Sequence, residues 1–229
     1  MNRVLQFITN KFSPHHGFLP DDEYGRALDT IVKACSDVLV CSDDRQRVFL
    51  GRRKVHPQPD WWFFGGRVRP GESTQDGAAR LMRRELTLDI APSRFHVLST
   101  FSFVWGMREQ APVDHGCADI STVHCLQLTP EEVASVQLDE AEYLGSGWFT
   151  LSEVMQGEFH PALKQCIRDL RADSALERLR LGVDSGDDTT IADLARQFIL
   201  ESACASEQPV QIFFDEEARV YQTTSRESG

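Results

Sequence analysis

No apolar run in this sequence approaches the ~20 residues that a bilayer-spanning helix needs. The first residues, MNRVLQFITNKF, have no long apolar segment followed by a small-residue cleavage site, so no signal peptide is expected. An excess of basic charge is missing too. Against 35 Asp and Glu stand 24 Lys and Arg, a net charge of −11, which argues against nucleic acid or an anionic membrane as partner. The six cysteines (Cys35, Cys41, Cys117, Cys125, Cys166, Cys204) show no C-x-x-C spacing. They point to thiols in a reducing cytoplasm rather than to disulfides or zinc. There are no internal repeats.

What is present suits one domain with extensions: 229 residues, 41% of them hydrophobic. Residues 1–20 form an N-terminal arm. Asp21-Asp22-Glu23 place acid at the start of an expected helix over Tyr24–Lys33. Asp37–Cys41 and Val48–Arg53 read as a hairpin. Its exit carries Arg52, Arg53 and Lys54, either a charged guard on an edge strand or a phosphate contact. Trp61–Phe64 reads as a strand, with one tryptophan in the core and the other packing or stacking on a ligand. Phe95–Trp105 and Asp119–Leu128 are further strands, the second carrying His124, and the loop between them reads as surface. Thr129 caps a short helix. Gly147–Thr150 is a last strand, and His160–Arg171 an amphipathic helix. Gly182–Asp188 reads as a flexible acidic linker, Thr190–Ala203 as a helix, and Val210–Tyr221 as a hairpin. The tail covers the core, forms a homodimer interface or accepts a partner.

The stretch the rest is arranged around is Gly65–Leu88, GGRVRPGESTQDGAARLMRRELTL. Glycines and a Pro-Gly pair supply turn chemistry, and Ala78, Ala79, Leu81, Met82 and Leu86 follow at helical spacing. Glu72 and Arg80 are two steps of four apart, so their side chains lie near one helix face. This is either a solvated helix after an ordinary turn or a loop-and-helix cradle for a cation and a pyrophosphate.

That stretch resembles a Nudix box. Gly66, Glu72, Arg80, Met82, Glu85 and Leu88 fall on the family pattern, while Leu81 and Arg84 stand where two glutamates belong and Thr87 where a glycine closes the motif. It is more similar to the shortened box of GDP-mannose mannosyl hydrolases, through GGRV, Glu72, Arg80-Leu81 and Glu85-Leu86. The resemblance extends over residues 20–170, taking in Asp37, Leu50–Arg53, Trp61–Phe64 and His124. It implies an α/β (α+β) fold, a mixed β-sheet sandwiched between helices. The domain would span 21–172, with a helix-and-hairpin extension over 173–229.

The resemblance also implies site residues. The Gly65 carbonyl, Glu85 and Glu142 would hold Mg²⁺ or Mn²⁺; Glu142 lies six positions before the strand Trp148, where the family completes its metal site. In the mannosyl-hydrolase branch the next position is a catalytic histidine, and here it is Tyr143, a poor base near neutral pH. Glu142 reads alternatively as a general base or as part of an acidic surface loop. Arg53 and Arg67 would neutralise a leaving diphosphate, with Asp37 and Trp62 also on the substrate. His124 is a further candidate, although a lone strand histidine is more often structural. Gly66, Glu72 and Arg80 would be structural. The implied activity is metal-dependent hydrolysis of a nucleoside diphosphate linked to a sugar or similar moiety. The alternative is a Nudix-fold nucleotide or nucleotide-sugar module that binds or regulates without turnover.

Overall fold

A computed structural model describes residues 4–183, 187–202 and 210–225. Cys204, Ala203 and the middle of the acidic linker lie outside them. The chain divides into two compact units, Met1–Trp148 and Phe149–Gly229.

β1 (Val32–Cys41), β2 (Arg47–Arg53), β3 (Trp61–Trp62), β4 (Phe64–Arg67), β5 (His96–Trp105), β6 (Cys117–Gln127) and β7 (Tyr143–Thr150), all but the last two residues of β7 in the first unit, build one mixed sheet. The order is β3-β2-β1-β6-β5, with β4 paired to β1 and β7 to β2. β1 runs parallel to β6 over ten rungs, Val32↔Ala118 to Cys41↔Gln127. On its other edge β1 is shared: β4 takes Cys35 to Val38, and β2 takes Val40 and Cys41. β1 is therefore paired on both sides, which suits its near-continuous burial from Cys35 to Cys41.

α1 (Asp21–Leu28) ends before the expected Lys33, because Val32 and Lys33 join the parallel ladder to β6. The expected single strand over Trp61–Phe64 is split. Phe64–Arg67 pairs antiparallel with β1, so the two glycines expected in a turn are sheet residues instead. Gly65 has φ +154, and a Cβ there would lie 2.5 Å from the Ser36 carbonyl oxygen and closer still to the Asp37 carboxylate. A side chain would part β4 from β1 at this rung.

α2 (Thr74–Leu86) starts at a capping box, in which the Ser73 hydroxyl accepts from the Asp76 amide and the Asp76 carboxylate accepts from the Ser73 amide. It buries Ala78, Met82 and Leu86 against Val38, Val40, Phe64 and Leu126 of the sheet, each larger side chain contributing roughly 1.5–3 kcal/mol. The helix stops at Thr87, a β-branched residue held at φ 58. α3 (Pro130–Ser135) follows β6 behind a Thr129–Glu132 capping box.

The second unit holds α4 (Leu151–Gln156), a continuous α5 (Pro161–Val183) that runs well past the expected Arg171, α6 (Asp188–Ser202), and a hairpin of β8 (Val210–Asp215) and β9 (Val220–Ser225). α5 packs on α6. Among the described residues no helix is long and apolar enough to cross a membrane. Cys35, Cys41, Cys117, Cys125 and Cys166 are buried thiols.

Candidate active site

Two Glu–Arg arrangements flank α2. At its start, Arg80 donates from Nε to Glu72 Oε1 at 2.6 Å and from Nη2 to Oε2 at 2.8 Å. Arg80 Nη2 also donates to the Arg67 carbonyl at 3.0 Å, and the Arg69 amide donates to Glu72 at 2.9 Å. Burial alone would raise the Glu72 pKa, but the Arg80 and Arg69 hydrogen bonds bring it below the ordinary value. This bidentate pair ties the loop after β4 to the helix. Gly66 precedes that loop; a Cβ there would come within 3.7 Å of Leu81.

At the far end of the helix Glu85 is fully buried. Its Oε2 accepts from the Gly65 amide at 2.9 Å and from the Tyr143 hydroxyl at 2.5 Å, and its Oε1 accepts from Arg84 Nη2 at 2.6 Å. Burial raises the Glu85 pKa against the pull of the Tyr143 and Arg84 hydrogen bonds. The same Arg84 nitrogen lies 3.2 Å from Glu142 Oε1, and Glu142 Oε2 lies 4.0 Å from Arg53. The loop carrying Glu142 is held by backbone bonds: Asp139 donates to the Glu85 carbonyl at 2.9 Å, and Lys54 to the Glu142 carbonyl at 3.0 Å. Arg53, at the end of β2, has a buried Nε with no hydrogen-bond partner among the described residues. Its charge also acts on Asp37.

Asp37 stands on β1 opposite Gly65 and accepts from the Ser121 hydroxyl at 2.6 Å. Burial pushes its pKa up to about 7, against the lowering effects of Ser121 and Arg53. Tyr143 is buried, its ring against Gly51, where an added Cβ would come within 2.5 Å of it, and beside Phe64. Burial first, then the Glu85 charge, raises the Tyr143 pKa well above the ordinary phenol value. Both effects favour the protonated hydroxyl, which donates to Glu85.

The fold thus gathers Asp37, Arg53, Gly65, Glu85, Glu142 and Tyr143, contributed by β1, β2, β4, α2, the loop before β7 and β7 itself. Three other candidates have side-chain contacts elsewhere. His124 is fully buried, with the Ser36 hydroxyl 3.2 Å from Nδ1 and the Thr74 hydroxyl 3.2 Å from Nε2. Burial lowers its pKa to about 4, so it is a neutral tie between the sheet and the start of α2. Trp62 is buried with its ring against Phe63, Phe103 and Trp105. The Arg67 guanidinium lies over the Tyr24 ring at 5.0 Å.

Two members were not singled out from the sequence. Ser121 shares a face of β6 with Val123, and strand alternation brings its hydroxyl to Asp37. Arg84 was visible only as a departure from a pattern; its meaning comes from the carboxylates on either side of it.

The donor set does not fit a divalent cation as it stands. Mg²⁺ takes about six oxygens at ~2.1 Å, whereas both oxygens of buried Glu85 already accept hydrogen bonds and a guanidinium bridges Glu85 to Glu142. Seating a metal on Gly65, Glu85 and Glu142 would require moving Arg84 off both carboxylates.

The family model described as NUDIX domain matches residues 34–170. The MutT protein of Methanosarcina mazei Go1 is similar in structure, with a TM-score of 0.50 and 19% identity, covering 62% of this chain and 95% of that one. A MutT NUDIX hydrolase from Burkholderia pseudomallei gives a TM-score of 0.49 and 18% identity, covering 61% and 98%. A search of curated proteins found no match.

Proposed function

The chain belongs to the NUDIX domain family, and on that premise we propose that it hydrolyses a nucleoside diphosphate linked to a second group, a sugar among the candidates. Family membership supports a Nudix-type hydrolase, and hydrolases of this family generally use divalent metal ions. The observation that carries the substrate reading is the alternation Arg53–Glu142–Arg84–Glu85. Two guanidiniums suit the oxygens of a diphosphate, and the carboxylate between them is placed to take a proton from water. In this reading Arg53 and Arg84 stabilise charge on the leaving diphosphate. Glu142 is the base, and Glu85, held by Gly65 and Tyr143, keeps Arg84 in place.

The test is a screen of nucleoside diphosphate sugars with products resolved by chromatography, run with and without Mg²⁺. Free sugar with nucleoside diphosphate identifies cleavage on the sugar side. Sugar phosphate with nucleoside monophosphate identifies cleavage of the phosphoanhydride. Loss of either activity in Glu142→Gln assigns the base, and unchanged activity in that variant removes it from the role.

One observation favours a second reading, a nucleotide-binding module without turnover. Tyr143 stands where the resemblance places a catalytic histidine, and its hydroxyl is committed to Glu85. Thermal stabilisation by a nucleoside diphosphate sugar, with no product formed, would select that reading.

A further inference from the structure

We propose that Arg84 is a built-in cation that stands in for a divalent ion, so that this protein binds diphosphate groups without metal. The inference rests on the reading above that the site receives a diphosphate.

The geometry is that of a counter-ion in place. One nitrogen of Arg84 approaches a carboxylate oxygen of Glu85 at 2.6 Å and one of Glu142 at 3.2 Å. Those two residues are the carboxylates on which the resemblance seats a metal. Glu85 contributes no open oxygen, since its second oxygen takes the Gly65 amide and the Tyr143 hydroxyl. Two carboxylates, Glu85 and Glu142, face two guanidiniums, Arg84 and Arg53. Sequence and charge agree on the substitution. Position 84 carries glutamate in the family pattern, and a glutamate holding a divalent ion has the same net charge of plus one as an arginine. The Arg84 side chain is 47% exposed while its carboxylate partner Glu85 is 0% exposed. The cation is thus anchored on its inner side and open to solvent. A guanidinium carries five N–H donors in a planar fork, a shape matched to phosphate oxygens. Arg53 adds a second guanidinium on the other side of Glu142.

The experiment uses the full chain and three measurements. Calorimetric titration with inorganic pyrophosphate is run in excess EDTA and again in Mg²⁺. Mn²⁺ uptake is followed by the loss of the free-ion paramagnetic resonance signal. Both are repeated on Arg84→Glu and Arg84→Gln, with circular dichroism checking the fold. The expected result is pyrophosphate binding by the wild type in excess EDTA, and no stoichiometric Mn²⁺ uptake by the protein alone. Arg84→Gln should weaken pyrophosphate binding in EDTA by about tenfold or more without gaining Mn²⁺. Arg84→Glu should lose it likewise, take up Mn²⁺, and bind pyrophosphate again once Mn²⁺ is present. If Arg84→Glu fails to fold, the wild type and Arg84→Gln decide the matter.

The proposal is overturned if wild-type protein takes up one Mn²⁺ that Glu85→Gln abolishes, if pyrophosphate binds only with metal, or if it does not bind at all. Failure here is separable from failure of the hydrolase reading. Turnover that requires Mg²⁺, with Mn²⁺ bound at Glu85, sinks the built-in cation and leaves the hydrolase. Metal-free pyrophosphate binding with no turnover of any nucleoside diphosphate sugar does the reverse.

Discussion

The two ends of α2 use the same two residue types and reach opposite results. Glu72 and Arg80 form a closed bidentate pair with further bonds only to backbone. Both partners are partly exposed, and the pair satisfies itself. Glu85 and Arg84 form an open arrangement, in which the carboxylate is wholly buried and the arginine is shared with Glu142. A Glu–Arg pair is structural when each partner completes the other, and becomes a site when one partner is buried and the other is left with charge to offer. Burial and the third residue make the difference, not the identity of the pair.

The sharpest way to break the comparison is to remove the buried partner. Glu85→Ala strands the Gly65 amide, the Tyr143 hydroxyl and a guanidinium around an empty space. It should destabilise the fold by roughly 3–5 kcal/mol, measured by urea unfolding, while Glu85→Gln costs much less. Next comes the front pair. Glu72→Ala should cost about 2 kcal/mol, and a double-mutant cycle with Arg80→Ala should recover most of that as coupling. Near-additivity would show that the front end is held by its neighbours rather than by the pair.

A pH experiment isolates the second buried acid. The Asp37 pKa in the fold, about 7, lies above its ordinary 3.8, so the protonated form is favoured when folded. Its contribution to stability is fully present below pH 3.8 and is lost as pH rises toward 7, at no more than about 1.4 kcal/mol per pH unit. His124 acts with the opposite sign, being depressed to about 4 from 6.5; stability from its neutral form is lost as pH falls through that range. Comparing wild type with Asp37→Asn cancels the histidine. The stability of Asp37→Asn relative to wild type should rise between pH 4.5 and 7 and level off above, as read from thermal unfolding. A flat difference would mean that Ser121 and Arg53 hold Asp37 ionised throughout. The smallest effect is at the C-cap of α2. Thr87 is held at φ 58, and Thr87→Gly should stabilise the fold by about 1 kcal/mol, checked by the same unfolding assay.

The sequence carried the fold further than it carried the site. The strands over residues 96–105 and 117–127 and the helix of Thr74–Leu86 follow from periodicity and caps that act locally. The early end of α1 did not, because Val32 and Lys33 are captured by β6, some 85 positions away. Glu142 of the loop and Glu85 of the box both reach Arg84, a partner that the resemblance, which pairs them on a metal, did not supply. His124 and Trp62 were legible as residue types but not as environments. Only packing reveals that both nitrogens of one and the ring of the other are already engaged. Arg84 is the instructive case, since a mismatch to a motif says what has been lost and nothing of what the new residue touches.

The ten-rung parallel ladder between β1 and β6 has a consequence for how the chain comes off the ribosome. β1 is translated early, and its partners on one edge, β2 and β4, follow within residues 47–67, but the ladder on its other edge is not complete until residue 127 has been made. Throughout that interval a strand that is continuously buried from Cys35 to Cys41 in the fold presents an open edge. Stalled nascent chains ending before Cys117 should therefore be bound by chaperones and cleaved by protease within residues 32–41. Chains extended past Gln127, with that strand clear of the exit tunnel, should be protected.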